Sequence, residues 1–169
     1  MYQTHSDYFL IVSTLTPYKK IDLAIYLFNK IGRRLVIIGE GPHRKYLESI
    51  AAKNIDFLGF KDDETVKEYM ENCRAFIFPG EEDFGITPVE AMACGKPVLA
   101  FGKGGATESV IAGKTGEFFF DQSVESIEDG LARLLYNEQF YKPRAIRKHA
   151  QTFSKEIFEK NIKEKIRSC

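Results

Sequence analysis

AFIFPGEEDFGITPVEAMACGKPVLAF (75–101) decides the fold. Two apolar runs, AFIFP (75–79) and PVLAF (97–101), enclose a loop and a segment of helical character, the order of a strand, a crossover helix and a parallel strand. Thr87 followed by Pro88 predicts the helix start, with the hydroxyl at the N-cap and the proline at the first helical position. Glu90 then falls three residues on, where a capping box accounts for it. No such account covers Glu81, Glu82 and Asp83, three consecutive carboxylates in the loop. Gly85 lets the backbone approach a ligand, and the amides that begin at Ile86 lie at the positive end of the helix, a setting suited to phosphate. Carboxylates at the rim of such a site repel phosphate and accept hydrogen bonds from sugar hydroxyls instead.

The same alternation runs outward in both directions. YFLIVS (8–13), LVIIG (35–39), IDFLG (55–59) and EFFF (117–120) complete six predicted strands, nearly continuous in hydrophobicity as strands covered on both faces are. Ile21, Ala24, Ile25, Phe28 and Ile31 form a helical stripe. Val66, Tyr69, Met70 and Cys73 form a second, and Ile127, Leu131, Leu134 and Leu135 a third. Asp62 and Ser123 stand where N-caps belong. The expected fold is α/β, a Rossmann-like, doubly wound parallel sheet of about six strands. Ligands of such sheets bind beyond the carboxyl ends of the strands. That selects the loops 13–20, 39–42, 59–63 and 79–88.

The chain has 169 residues, enough for one domain, with a core expected over about 8–138 and a helical tail over 139–169. Lys plus Arg equals Asp plus Glu at 24 each, which excludes a global field for nucleic acid. Nine Lys or Arg face three Glu from Gln139 to Cys169. A solvated helix face explains this most simply; the sharper expectation is contact with anionic lipid headgroups at the inner membrane face, or with an acidic partner domain. Cys73, Cys94 and Cys169 follow neither disulfide nor metal-ligand spacing. The start MYQTHSDYFLIVS has no signal-peptide pattern, and no apolar run reaches the roughly 18 residues of a membrane span. A cytoplasmic setting is expected. His5, His43 and His149 lack convergent partners, and GGATES (104–109) reads as a tight strand-to-helix turn.

Glu82 and Glu90 at their spacing, set in FPGEEDFGITPVEAMACGKPV and followed by GGATESV and KTGEFF, resemble the donor half of a retaining glycosyltransferase of family 4, with the GT-B fold. FPGEEDFGI with TPVEA is most similar to the GDP-mannose-dependent mannosyltransferases. The resemblance covers roughly residues 8–167. It implies that Glu90 holds the ribose hydroxyls and that Glu82 lies beside the donor sugar. The distal phosphate goes to the amides near Gly85, Ile86 and Thr87, and Lys19 in TPYKKID grips the diphosphate. Gly41 in GEGP and the backbone around Phe60 house the base. It implies neither metal nor cofactor, and a separate N-terminal acceptor domain that these residues do not supply. The isolated chain is therefore expected to bind a nucleotide sugar without transferring it.

One position departs from the family. An arginine usually stands five residues before the lysine, and here it is Thr14. A hydroxyl cannot make the bidentate phosphate contact of a guanidinium. Lys20 or another basic group compensates, or donor binding is weak, or the chain is a divergent, non-catalytic nucleotide-binding module. A dinucleotide-binding oxidoreductase wants G-x-G-x-x-G after the first strand, which TLTPYKKID does not offer. A receiver-like domain wants an acidic cluster near the first strand, also not seen, and a nucleotide-sugar epimerase fits the opening stretch less well.

Overall fold

A computed structural model describes residues 7–157. Six strands form one parallel sheet: β1 (Tyr8–Val12), β2 (Arg34–Ile38), β3 (Ile55–Gly59), β4 (Ala75–Phe78), β5 (Val98–Phe101) and β6 (Gly116–Phe119). Each lies within a residue of its expected limits. The order is β3-β2-β1-β4-β5-β6, so the chain winds outward from β1, returns to the centre at β4 and winds out the other way. Phe9 pairs with Ala75, and Leu10 with Phe76, across that central seam. The topological switch point therefore falls between β1 and β4, and the loops leaving their carboxyl ends diverge there to open a crevice.

Helices cover both faces: α1 (Ile21–Ile31), α2 (Arg44–Ile50), α3 (Asp63–Asn72), α4 (Ile86–Ala93), α5 (Ala106–Ser109), α6 (Val124–Tyr136) and α7 (Pro143–Ala150). The α1 stripe is buried from Ile21 to Phe28, and the Phe28 ring lies 5.1 Å from that of Phe9 on β1. Burying a side chain of this size contributes about 1.5–3 kcal/mol. Asp62 accepts the Thr65 amide at 2.8 Å and Ser123 accepts the Ser126 amide at 3.2 Å, so both expected N-caps form. Helix α2 had no sequence signal, because Leu47 is its one buried residue.

The start of α4 differs from expectation. Gly85, at φ 73°, is the N-cap, and the helix begins at Ile86. Only glycine adopts that backbone angle without strain, and it starts the helix two residues early. Thr87 and Pro88 become the second and third helical positions. Glu90 therefore makes no capping box.

The tail begins as expected. Helix α7 packs on α4, and Arg147 donates to the Cys94 carbonyl at 3.1 Å. Glu117, buried on β6, accepts from Tyr141 Oη at 2.8 Å and from Asn137 Nδ2 at 3.0 Å, which fastens the tail's start to the sheet edge. The tail's expected continuation beyond 157, with Cys169, lies outside the described residues, as does His5. No helix among those described is long and apolar enough to cross a membrane.

Candidate functional site

The crevice beyond β1 and β4 has two connected halves that share Val12, Ser13, Thr14 and Thr87. The wider half, about 850 Å³, lies over β2 and β3 and is bounded by Gly39, Glu40, Phe60, Asp63 and Glu90. The narrower half, about 530 Å³, lies between the loop after β1 and the start of α4, with Tyr18, Lys19, Glu82, Gly85 and Ile86 on its walls. Two loops 60 residues apart in sequence thus meet because their strands are neighbours.

In the narrower half Lys19 and Glu82 form an ion pair, with side chains only 13% and 26% exposed. The Tyr18 ring, 5.0 Å from Lys19 Nζ, covers the cation. Opposite lies the uncapped start of α4. No side chain caps it, and Pro88 has no amide to offer. The orphan donors of this turn are therefore those of Gly85, Ile86 and Thr87, at the positive end of the helix dipole. Since Thr87 is not the cap, its side chain is left to line both halves.

Glu90 lies one turn into α4, on the wall of the wider half. Partial desolvation raises its carboxyl above the usual range, and the nearby charge of Asp63 adds to the shift. Across this half Phe60 is 77% exposed, an aromatic face open to the crevice rather than packed in the core.

Of the residues expected from sequence, Glu82, Lys19, Gly85, Ile86 and Thr87 come together in one half, and Glu90 and Phe60 in the other. Gly41 does not line either. A Cβ there would lie 2.3 Å from the Leu15 carbonyl oxygen, so this glycine serves a close approach of two backbones instead. Lys20 is not on the crevice wall. It caps α1 in the left-handed conformation, φ 53°, so it is not positioned to replace an arginine at Thr14. Asp63 and Glu40 were not singled out from sequence. Both follow carboxyl ends of strands; Asp63 opens α3, and Glu40 is ion-paired with Arg44.

The glycines of 104–109 act structurally. The Gly105 amide donates to the Glu82 carbonyl at 2.7 Å, and a Cβ on Gly104 would lie 2.4 Å from that oxygen. His149 is satisfied by the Ser109 carbonyl at 2.7 Å.

A Rossmann-like sheet with an uncapped helix start at the switch point is a setting in which such folds receive anionic ligands. Residues 3–153 match the model of the family described as glycosyl transferases group 1, and the chain belongs to that family. An uncharacterized glycosyltransferase of Methanocaldococcus jannaschii is 31% identical over 153 residues, covering 88% of this chain and 43% of the relative. A GDP-mannose-dependent alpha-(1-6)-phosphatidylinositol monomannoside mannosyltransferase of Mycobacterium tuberculosis is 32% identical over 142 residues, covering 73% and 37%. The chain thus spans less than half the length of these relatives. Among solved structures, the lipopolysaccharide outer core galactosyltransferase WaaB in its apo form superposes with a TM-score of 0.86 at 20% identity, over 99% of this chain and 51% of that one. Anabaena HepE, in complex with UDP and glucose, gives 0.77 at 22% identity, over 98% and 49%. These likenesses bear out the GT-B type of Rossmann-like fold.

Proposed function

We propose that the chain is the donor-binding half of a retaining glycosyltransferase of family 4, and that its ligand is a nucleotide sugar, GDP-mannose. The observation that supports this best is the pairing of an uncapped helix start with Lys19 in one half of the crevice, and of Glu90 with an exposed Phe60 in the other. The diphosphate docks on the amides of Gly85, Ile86 and Thr87 and on Lys19. Glu82 accepts hydroxyls of the donor sugar, Glu90 accepts the ribose hydroxyls, and Phe60 flanks the base.

Glycosyl transfer breaks the bond from C1 to the diphosphate, and negative charge grows on the leaving group as the sugar approaches an oxocarbenium ion. Lys19 and the α4 dipole meet that charge without a metal. Glu82 and Glu90 are not an acid/base pair of the glycosidase kind, since Glu90 belongs to the ribose half. The acceptor is bound by a separate N-terminal domain, in keeping with relatives more than twice as long. The isolated chain binds the donor and does not transfer it. The mannosyltransferase relative and FPGEEDFGI favour GDP-mannose and a role in glycan or lipopolysaccharide synthesis. The setting is the cytoplasm, with the exposed Arg144 and Lys148 of α7 available to the inner membrane face.

Calorimetry with GDP, UDP, ADP and their sugars tests the reading. GDP-mannose binds most tightly if it is right, and no response to any nucleotide removes it. One observation favours a second reading: Thr14, in place of arginine, sits where both halves of the crevice join. A non-catalytic binding module then retains donor affinity but gives no turnover even when joined to an acceptor domain.

A further inference from the structure

On the wall of the narrower half of the crevice, Lys19 is already met by an internal counter-charge, the Glu82 carboxylate. Both backbones are held from behind. Gly80 approaches so closely that a Cβ there would lie 2.9 Å from Lys19 Cα. The Glu82 carbonyl is fixed by the Gly105 amide at 2.7 Å and crowded by Gly104. The freedom left is in the side chains, and a carboxylate on a three-bond arm can swing while its backbone stays.

We infer that the Glu82 carboxylate occupies, on Lys19, the place a diphosphate oxygen would take, and that donor binding exchanges the partners of both charges. This rests on the function proposed above and adds a specificity role to it. The incoming diphosphate takes Lys19, and the displaced carboxylate turns to the hydroxyls of the sugar. A nucleotide carrying a sugar supplies those donors. A bare nucleoside diphosphate takes the lysine and returns nothing, leaving the Glu82 carboxylate unpaired beside another anion. Glu82 thus favours the intact donor over the spent nucleotide, and re-forming the ion pair helps the product leave.

The discriminating substitution is Glu82→Gln, read by calorimetry on the full chain with three probes: inorganic pyrophosphate, GDP and GDP-mannose. Removing the internal anion tightens pyrophosphate and GDP by roughly three- to tenfold and weakens GDP-mannose, so the preference for the sugar-bearing ligand narrows. Glu82→Asp, too short to hold both partners, shifts the same way and serves if the first variant fails to fold. Unchanged or weaker pyrophosphate binding in folded variants overturns the inference, while GDP-mannose binding by the wild type keeps the donor assignment. Tighter pyrophosphate binding with no response to GDP or GDP-mannose overturns the donor assignment and the specificity role with it, leaving only the competition of Glu82 with an anion for Lys19.

Discussion

The backbone amide of Gly105 donates to the carbonyl of Glu82 at 2.7 Å, tying the loop after β5 to the acidic loop after β4. No side chain can be added at this seam. A Cβ on Gly105 would lie 2.4 Å from the Asp83 carbonyl oxygen and from Phe84 Cα, both backbone atoms that cannot rotate away. Gly105→Ala therefore pushes the acidic loop off its seat, at a cost of about 1–3 kcal/mol in overpacking. The expected outcome is a lower melting temperature and weaker GDP-mannose binding, with GDP affinity changing less because Glu90 and Phe60 lie in the other half. Equal losses for both ligands would argue against the division of the crevice.

Lys19 and Glu90 separate in kinetics once an acceptor domain is present. Lys19→Ala removes a charged contact to the leaving group, about 1.5–3 kcal/mol, and lowers both donor affinity and kcat. Glu90→Gln acts on ground state and transition state alike, so KM for the donor rises while kcat holds. Near-wild-type donor binding by both variants contradicts the assignments.

The proposed role of Glu90 predicts a pH-dependent donor affinity. Its carboxyl titrates above the usual carboxylate range because of partial desolvation and the Asp63 charge. In the proposed site the ionised form accepts two ribose hydroxyls, so affinity is expected to be full at neutral pH and to fall with acidification, beginning above the range of an ordinary glutamate. Glu90→Gln flattens this profile. For stability the sign is opposite. With the folded value raised, the group's contribution is present below its unfolded pKa and is lost as pH rises through the folded pKa. At neutral pH Glu90→Gln accordingly raises the melting temperature slightly, the effect being small because the group is exposed. A fall in melting temperature would count against an unpaired carboxylate on the crevice wall.

The sheet was legible in the sequence because its inner strands are buried on both faces and read as unbroken apolar runs, while the edge strands β3 and β6 admit Asp56 and Glu117 without losing the pattern. Ile37 and Phe76 are as inaccessible as their neighbours. Asp62 and Ser123 were legible for a local reason, since a cap depends on the three residues that follow. The start of α4 was misread because Thr87–Pro88 carries its own cap signal, and the left-handed angle of Gly85 two residues earlier overrides it. The acidic residues pointed to a ligand, but the pairing of Glu82 with Lys19 depends on strand order, which no local pattern contains. Gly41 lies off both walls of the crevice, against the Leu15 backbone, a contact between two loops that no local pattern contains.

Thr14 offers a gain-of-function test. It lies on the shared boundary of the two halves, and with the diphosphate in its proposed place a guanidinium there is expected to bind it in bidentate fashion. Thr14→Arg strengthens GDP-mannose binding by about 1.5–3 kcal/mol, with a steeper loss at high salt. Unaltered affinity in a folded variant would mean that the diphosphate lies elsewhere.

The most direct measurement is a crystal structure of the chain with GDP-mannose. The diphosphate is expected within hydrogen-bonding distance of the Ile86 and Thr87 amides and of Lys19 Nζ, with the sugar at Glu82, the ribose at Glu90 and the base beside Phe60. Density for the nucleotide away from the start of α4, or Lys19 still paired with Glu82 beside a bound diphosphate, would contradict the account.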